Sequence, residues 1–391
     1  MTEPDSVYVD TPAALSELCR ALQGRDWLAL DTEFIREKTY YPKLCLIQLG
    51  ADDLVACVDP LALDDLAPLW ARLYDPAVTK VLHAAQQDLE IFTQLRGRPP
   101  GPVFDTQIAA TLLGQGEQVG YATLVQQVLG VELDKSQVRT DWSRRPLSAE
   151  QLAYAAADVS HLRALYRHQL EALERLGRTE WLAEDFAALL EPTRYQVDPD
   201  QAWSRIKGAI RLKPRQLAVL QLLAAWRERE AIRRDRPRRW IVDDNLLLDL
   251  ARLQPTESKA LERLRGLDAE RERRYGAVLL ETIAAARELP SAQWPQAPQR
   301  TVLAPEQEAL IDVLTAIVRH CAEHHGVSPG SLCGRRDLER LLQGEDIPLL
   351  HGWRRALAGD TVQAFRSGRL RLRVGDDRLV LDGEPDRDMT G

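Results

Sequence analysis

The sequence contains little cysteine, few aromatic residues and no long apolar run. Only 5 of its 391 residues are cysteine, at irregular spacing, which excludes a disulfide framework and favours a reducing cytoplasm. No stretch approaches the roughly 18 apolar residues that a membrane helix needs. The acidic start, MTEPDSVYVD, lacks the basic and apolar segments of a signal peptide. We therefore expect a cytoplasmic protein with no membrane partner, and nothing indicates an obligate protein partner.

The composition is that of a globular protein with several domains. Hydrophobic residues make up 45% and charged residues 28% of the chain, which excludes a disordered or fibrous protein. At roughly 100–200 residues per domain, a chain of 391 residues corresponds to about two to four domains.

Charge is distributed unevenly along the chain. The net charge is −8, but residues 1–200 carry 18 Lys+Arg against 31 Asp+Glu, whereas residues 201–300 carry 21 against 13. The densest basic segment, from Arg205 to Arg239, has 12 basic and 3 acidic residues. Such a segment is typical of contact with nucleic-acid phosphates, although a solvated, arginine-rich helix face is the alternative. The acidic total therefore does not exclude a nucleic-acid partner.

Two proline-bearing joints, near residues 191–200 and 289–298, divide the chain. They predict the following units: 1–195, 205–288, 304–373 and an acidic tail, 374–391. Because the tail loses hydrophobic periodicity from Asp376 onward, we expect it to fray.

In the first unit, short apolar runs alternate with helical patterns. Residues 27–30, 43–49 and 54–58 predict three successive strands, and 78–83 predicts a fourth before a helix over 86–95. This order indicates a mixed sheet with helices packed on it. The second and third units show helical periodicity, with one weak strand signal near residue 370, and predict two small helical bundles.

Two acidic residues directly follow the first buried run. Asp31 and Glu33 alternate on a strand, so both carboxylates point to the same face. A D-x-E triplet is common by chance, but acids beside a buried strand require a cation or cationic partner. Asp88 lies on the first or second turn of the helix after the fourth strand. An acid that complements the helix dipole is the alternative interpretation there.

A further acid lies on a helix with a well-marked start. Ser148 and Gln151 have the spacing of a capping box, which predicts the first turn of a helix. Tyr154 and Asp158 are then one turn apart on one face. A plain hydrogen-bonded Tyr–Asp pair is the structural alternative.

In order and spacing, these four acids and the tyrosine resemble the tyrosine-bearing subgroup of the DEDD exonuclease superfamily. Further stretches make the chain similar to the ribonuclease D family: Asp31–Phe34, Lys43–Gln48, Phe104–Gln107 and Asp141–Leu147. Residues 217–266 resemble an HRDC domain, the helical module named for helicases and ribonuclease D, and residues from about 306 resemble a second, more divergent copy. The resemblance implies an α/β ribonuclease H-like exonuclease domain, a mixed sheet flanked by helices, followed by two all-α HRDC bundles.

The resemblance also implies a reaction and the residues that perform it. It implies a metal-dependent 3′→5′ exoribonuclease that releases nucleoside 5′-monophosphates from RNA 3′ ends, with tRNA precursors as the natural substrate. The catalytic set would be Asp31, Glu33, Asp88, Tyr154 and Asp158. The four acids would hold two divalent ions, Mg²⁺ or Mn²⁺, which prefer carboxylate oxygens. In this arrangement Asp31 bridges the two ions, and Tyr154 orients the attacking water.

Basic and aromatic residues provide candidate RNA contacts, with packing and surface ion pairs as the alternative. The candidates are Arg139, Trp142, Arg144 and Arg145 before the Tyr154 helix, and Arg233, Arg234, Arg238 and Arg239 in the basic segment. Asp105 is predicted to cap a helix rather than to bind metal.

For the protein as a whole, two alternatives stay open. One is a DNA-directed exonuclease of the same superfamily, since the acid set cannot read a 2′-hydroxyl. The other is a non-catalytic RNA-binding scaffold.

Overall fold

The computed structural model describes residues 6–134, 137, 140–296 and 303–383. Its first unit is built on one six-stranded sheet. The strands are β1 (Val7–Val9), β2 (Trp27–Ile35), β3 (Lys43–Ala51), β4 (Leu54–Val58), β5 (Thr79–Leu82) and β6 (Val103–Asp105). The four strands predicted from apolar runs are confirmed. The three-residue strands β1 and β6 were not predicted, because they are too short to show a period.

The sheet is mixed, as its pattern of apolar runs predicts. The strand order is β1-β4-β3-β2-β5-β6. β3 runs antiparallel to both of its neighbours, β2 and β4, whereas β2, β5 and β6 are parallel to one another. A β-bulge interrupts the β2–β3 register between Glu33 and Phe34. The central position of β2 places its carboxyl-terminal half in the middle of the domain.

Helices cover both faces of the sheet. They are α1 (Pro12–Ala21), α2 (Ala67–Leu73), α3 (Gln86–Arg96), α4 (Thr106–Leu112), α5 (Tyr121–Leu129), α6 (Ala149–Arg175) and α7 (Ala183–Leu189). Leu28 and Leu30 of β2 belong to the apolar core shared with α1, α2 and α3. Ala29 faces the opposite core, which contains α6. The alternation along β2 therefore assigns each following residue to one of these two faces.

The start of α6 agrees with its predicted capping box. The Gln151 backbone N–H donates to Ser148 Oγ (3.2 Å), and the Ser148 N–H donates to Gln151 Oε1 (2.9 Å). These two bonds satisfy amides at the helix terminus that have no partner within the helix. The cap therefore fixes the residue at which α6 begins, and with it the face of the helix on which Tyr154 and Asp158 lie.

The second unit is a helical bundle with its own apolar core. Its helices are α8 (Pro214–Arg234), α9 (Arg238–Ile241), α10 (Asp244–Leu253), α11 (Ser258–Leu261) and α12 (Ala269–Glu288). The bundle contacts the β2–β3 loop of the first unit. There, Tyr40 donates to the fully buried Glu228, which also accepts from Arg238 at 2.6 Å. The loop that leaves the Asp31–Glu33 strand is thus anchored to the second unit.

The third unit combines helices with a β-hairpin. Its elements are α13 (Pro305–His325), α14 (Pro329–Leu332), α15 (Arg335–Leu342), α16 (Gly352–Arg354), α17 (Asp360–Arg366), β7 (Arg371–Gly375) and β8 (Arg378–Asp382). The weak strand signal near residue 370 corresponds to β7, and the prediction that the tail frays from Asp376 is wrong as far as Asp382. β8 pairs antiparallel with β7, and Leu372 and Leu381 lie opposite each other and pack on the helical core. A two-stranded hairpin of this kind depends on that packing for stability.

The third unit packs against the exonuclease unit. Trp181 and Trp353 stack with centroids 4.8 Å apart and planes 4° from parallel. Beside them, Arg354 is 9% exposed and forms ion pairs with Glu184 and Asp185, each at 3.0 Å. A buried guanidinium with two acidic partners has a defined orientation. The contact therefore fixes how the third unit sits on the first.

Among the described residues, no helix is both long enough and apolar enough to cross a bilayer.

Candidate active site

Three carboxylates from β2 and α6 meet at the center of the exonuclease unit. Carboxylate oxygens of Asp31, Glu33 and Asp158 all lie within 4.8 Å of one another. Asp31 and Glu33 point from β2 toward α6, on the face that Ala29 defines. The predicted convergence of these three acids is present in the structure. Across the described residues, this is the one group of acids, histidines or cysteines with such spacing.

Asp88 reaches the site from the other face of the sheet. Thr32, between the two acids of β2, points to the α3 side, where its hydroxyl donates to Asp88 Oδ1 at 2.5 Å. Asp88 lies in the first turn of α3 and is 8% exposed. It is therefore outside the group formed by the other three carboxylates. Its position on α3 agrees with the sequence prediction, and its role as a metal ligand stays a prediction.

Burial keeps this acid cluster from being fully ionised without a cation. Removal from water raises the pKa of Asp31 to about 6 and that of Asp158 to about 8. Burial, together with the charges of Asp31, Asp158 and Asp88, raises the pKa of Glu33 to about 9. Burial and the charge of Asp31 raise the pKa of Asp88 to about 8, although the Thr32 hydrogen bond acts in the opposite direction. Like charges in a low-dielectric site disfavour simultaneous ionisation.

Two tyrosines border the cluster. Tyr154 lies one turn before Asp158 on α6, and burial followed by the negative charges of Asp158 and Glu33 raises its pKa, so it remains a neutral phenol. The Tyr121 hydroxyl donates to the main-chain oxygen of Asp158. Sequence analysis missed Tyr121, because nothing in its local pattern indicates that α5 crosses α6 at this residue.

The donor set fits hard divalent cations. Carboxylate oxygens are the ligands that Mg²⁺ and Mn²⁺ prefer, and Asp31, Glu33 and Asp158 supply them from three side chains. In the part of the chain that the structure describes, no lysine, arginine or histidine forms a salt bridge with these three acids or with Asp88. Buried acids without a cationic side chain are expensive to ionise. A bound cation would supply the missing charge.

Thr32 provides a test of how Asp88 is held. We expect Thr32→Val to lower the turnover number about tenfold, because a buried acceptor loses a hydrogen bond worth roughly 1–3 kcal/mol. The matched control is Thr93→Val on α3, the helix that carries Asp88, since the Thr93 hydroxyl donates to the Leu89 carbonyl at 2.6 Å. Single-turnover hydrolysis and melting temperature are measured for both variants. Equal activity losses in both would mean that Thr32 acts through stability alone.

Asp105 caps a helix, as the sequence predicts. Its Oδ1 accepts from the backbone N–H of Gln107 at 2.8 Å, at the start of α4. The same carboxylate also accepts from the backbone N–H of Ala84 and Ala85, which connect β5 to α3. Asp105 therefore joins the ends of two neighbouring strands, and its oxygens are occupied by amide donors.

The candidate RNA contacts before α6 have mixed positions. Arg139 lies outside the described residues. Trp142 is 2% exposed and packs in the core beside Tyr154, so its ring is not open to a base. Arg145 is held by Asp59 at 2.5 Å and donates to backbone carbonyls. Arg144 is exposed and pairs with Asp141 at 3.2 Å. Of these four side chains, only that of Arg144 is described as open to solvent.

The candidates in the basic segment are mostly neutralised. Arg233 and Arg234 both pair with Glu230, and Arg238 pairs with Glu228 in the contact to the β2–β3 loop. Arg239 is exposed and forms no ion pair with any described residue. The Arg238 guanidinium donates to Glu228 and to Tyr40 within the protein, and its contact with RNA stays a prediction.

Two protein-family models match separate parts of the chain. Residues 6–174 match the model of a 3′–5′ exonuclease domain, and residues 216–283 match that of an HRDC domain. The matched ranges coincide with the sheet unit and the α8–α12 bundle.

Relatives that match nearly the whole chain show the family to which it belongs. The chain is 44% identical over 380 residues to a ribonuclease D of Gluconacetobacter diazotrophicus, covering 96% of each chain. It is 39% identical over 369 residues to a ribonuclease D of Pseudomonas paraeruginosa, covering 93% of this chain and 98% of the relative. The chain belongs to the ribonuclease D family. Its activity is accordingly that of a 3′→5′ exoribonuclease, a hydrolase that acts on RNA.

A solved ribonuclease D has the same architecture. The crystal structure of Escherichia coli RNase D, described as an exoribonuclease involved in structured RNA processing, superposes with a TM-score of 0.82. It is 35% identical and matches 93% of this chain and 99% of its own. The predicted fold class, a ribonuclease H-like exonuclease followed by helical HRDC domains, is confirmed. The exact unit boundaries stay a prediction, as does a second HRDC copy at 304–373.

Proposed function

We propose that this ribonuclease D family member trims the 3′ ends of structured RNA, tRNA precursors among them, and releases nucleoside 5′-monophosphates one at a time. The observation that supports the proposal is the group of three carboxylates within 4.8 Å, on β2 and α6, without a cationic partner among the described residues. The relative from Escherichia coli is described as a processor of structured RNA. HRDC-type bundles beside the exonuclease unit are consistent with a folded substrate.

Asp31, Glu33 and Asp158 would hold two divalent ions, Mg²⁺ or Mn²⁺, with Asp88 supporting one of them through water. When bound, such ions stabilise the attacking and leaving oxygens of a phosphodiester and lower the pKa of bound water. The oxygens of Asp31, Glu33 and Asp158 already lie within 4.8 Å of one another. The hydrogen bond from Thr32 holds the Asp88 carboxylate in place.

Tyr154 would act as an orienting group rather than a base. Its pKa is raised by burial and by the Asp158 carboxylate, so a phenolate is not available at neutral pH. A neutral hydroxyl can accept a hydrogen bond from water and donate one to an oxygen of the substrate. The position of Tyr154 one turn from Asp158 places that hydroxyl beside the acid cluster.

RNA labelled at its 5′ end, with the released nucleotides identified by chromatography, tests direction, product and metal requirement together. We expect a ladder that shortens from the 3′ end, nucleoside 5′-monophosphates as the released product, and no reaction in excess chelator until Mg²⁺ or Mn²⁺ is added. A DNA oligonucleotide of the same sequence is the matched control. Equal rates on DNA and RNA would favour the DNA-directed alternative, and release of 3′-monophosphates would exclude the proposed chemistry.

A further inference from the structure

The basic segment of the second unit divides into a neutralised part and a free part. Along α8 and α9, the arginines are largely paired with acids. The pairs are Arg227–Asp244, Arg229–Asp200, Arg233–Glu230, Arg234–Glu230 and Arg238–Glu228. Their positive charge is mostly cancelled within the protein. Counting basic residues along the sequence therefore overstates the charge that this helix offers to a ligand.

The free part lies in the segment before α8 and in the first turn of that helix. Five basic side chains between residues 205 and 215 are all exposed, and none forms an ion pair with a described residue. They are Arg205, Lys207, Arg211, Lys213 and Arg215, which we call the 205–215 patch. No acidic residue occurs between residues 201 and 227. The patch thus combines five positive charges that have no ion-pair partner among the described residues, and the nearby Asp200 pairs with Arg229 instead.

The backbone that carries the patch is anchored. Between the cations, Ile206, Ala209 and Leu212 are buried in the core of the bundle, at 4%, 3% and 7% exposure. Two short 3-10 turns, Pro199–Arg205 and Ala209–Arg211, shape the segment. The cationic side chains therefore leave the surface from fixed positions, which reduces the entropic cost of ordering them on a ligand.

We propose that the 205–215 patch binds the phosphate backbone of the body of the RNA substrate. This inference rests on the proposed function, since it assigns a surface to the RNA being trimmed. Exposed Arg and Lys side chains without acidic partners suit repeated phosphate charges, and such contacts position a nucleic acid without reading its sequence. The patch contains no aromatic residue, so base stacking does not contribute there.

The place of the patch along α8 implies which part of the RNA it meets. Glu228, nearer the carboxyl end of α8, contacts Tyr40 of the exonuclease unit. Arg215, at the amino end, precedes Glu228 by about 13 residues, a helical rise of about 20 Å. In this proposal the patch meets nucleotides upstream of the 3′ end that is being hydrolysed. Long or folded RNA should benefit from it, and a very short oligonucleotide should not.

The test compares two triple variants of equal charge. R205Q/R211Q/R215Q removes three charges from the patch, and R252Q/R271Q/R274Q removes three arginines of the same unit that pair with acids. The affinity for an RNA hairpin with a 3′ single-stranded tail is measured in chelator at several salt concentrations. Hydrolysis of a trinucleotide is measured with Mg²⁺, and circular dichroism verifies the fold.

For the patch variant, we expect about tenfold or weaker hairpin binding and a salt slope reduced by about 2 to 3, since each lost phosphate contact removes roughly 0.7–0.9. Trinucleotide hydrolysis should be unchanged, and the control variant should keep the wild-type slope. A patch variant with the slope of the control would overturn the inference. Binding of polyglutamate is measured as a probe for an acidic protein partner. A patch variant that lost polyglutamate binding but kept hairpin binding would assign the surface to an acidic protein and overturn the inference too. If the wild-type chain failed to hydrolyse any RNA, the proposed function would fail while the binding result still stood.

Discussion

Asp31→Asn is expected to reduce RNA hydrolysis by about three orders of magnitude, the scale at which electrostatic stabilisation of a transition state is lost. Carboxylate oxygens of Asp31, Glu33 and Asp158 lie within 4.8 Å of one another, and Asp31 is proposed to contact both metal ions. The substitution removes one charge but keeps the size of the side chain. Binding of RNA in chelator should remain close to wild type, because the proposed phosphate contacts lie in the second unit.

The matched control for this variant is Asp64→Asn, which neutralises an exposed acid of the same unit. It should retain full activity. Isothermal titration with Mn²⁺ gives a second readout, in which Asp31→Asn should bind the ion more weakly than the control does. Turnover at the wild-type rate in Asp31→Asn would remove this residue from the proposed metal site.

Metal-free protein is expected to lose stability as the pH rises from about 5 to about 9. Burial raises the pKa of Glu33 to about 9 and that of Asp158 and Asp88 to about 8, whereas in the unfolded chain such groups titrate near 4. The folded state then binds more protons in this window. Its free energy of unfolding must fall as these groups are forced to ionise.

The size of this effect follows from the shifts. One pKa unit corresponds to about 1.4 kcal/mol, so the shift of Asp158 alone, from 3.8 to about 8, corresponds to on the order of 5 kcal/mol at pH 9. For a chain of 391 residues, that loss lowers the melting temperature by about 6 °C. Melting curves at pH 5, 7 and 9 in chelator, and again with Mg²⁺ or Mn²⁺, measure it. The added ion should stabilise the protein most at the highest pH, where protons no longer compete.

Glu33→Gln is the control for the cluster, since a neutral amide cannot ionise. Its melting temperature should depend less on pH in chelator than that of the wild type. The lowered pKa of Asp59 beside Arg145 affects stability only in acid. Burial lowers the pKa of Lys80 to about 7, so this group adds stability as the pH rises above 7 and opposes the loss from the acid cluster. The comparison of the two proteins isolates the cluster, and a Glu33→Gln variant with the same pH dependence as the wild type would contradict the expected linkage.

Much of the candidate site could be predicted because its parts are local. Asp31 and Glu33 are two residues apart on a strand, and the capping box before α6 sets the phase of Tyr154 and Asp158. Periods of 2 and 3.6 residues place such side chains on known faces. The resemblance to a known superfamily then joined the separate motifs into one site. The family comparison confirmed the fold class and the enzyme class inferred in this way.

Other features depend on pairs that are distant in sequence. Thr32 reaches Asp88 across 56 residues, and Tyr40 reaches Glu228 across 188. The second strand of the terminal hairpin, β8, was missed because its stability comes from pairing with β7 and from packing on the third helical core. No local pattern predicts such contacts, since each partner is an ordinary residue in its own segment.

The amino-acid sequence by itself determined the acid set, the order of the units and the existence of a basic segment between Arg205 and Arg239, because these depend on residue type and short spacing. Only the tertiary structure decided which of those charges are free. Burial of Glu228 against Arg238 and the pairing of Arg233 and Arg234 with Glu230 cancel charge that the sequence counts in full. Trp142 is a candidate RNA contact because basic residues surround it in the sequence, but its ring is buried in the core and is not open to a base. Low cysteine content and the absence of long apolar runs excluded whole classes of protein, but the choice among surface charges required knowledge of what packs against each one.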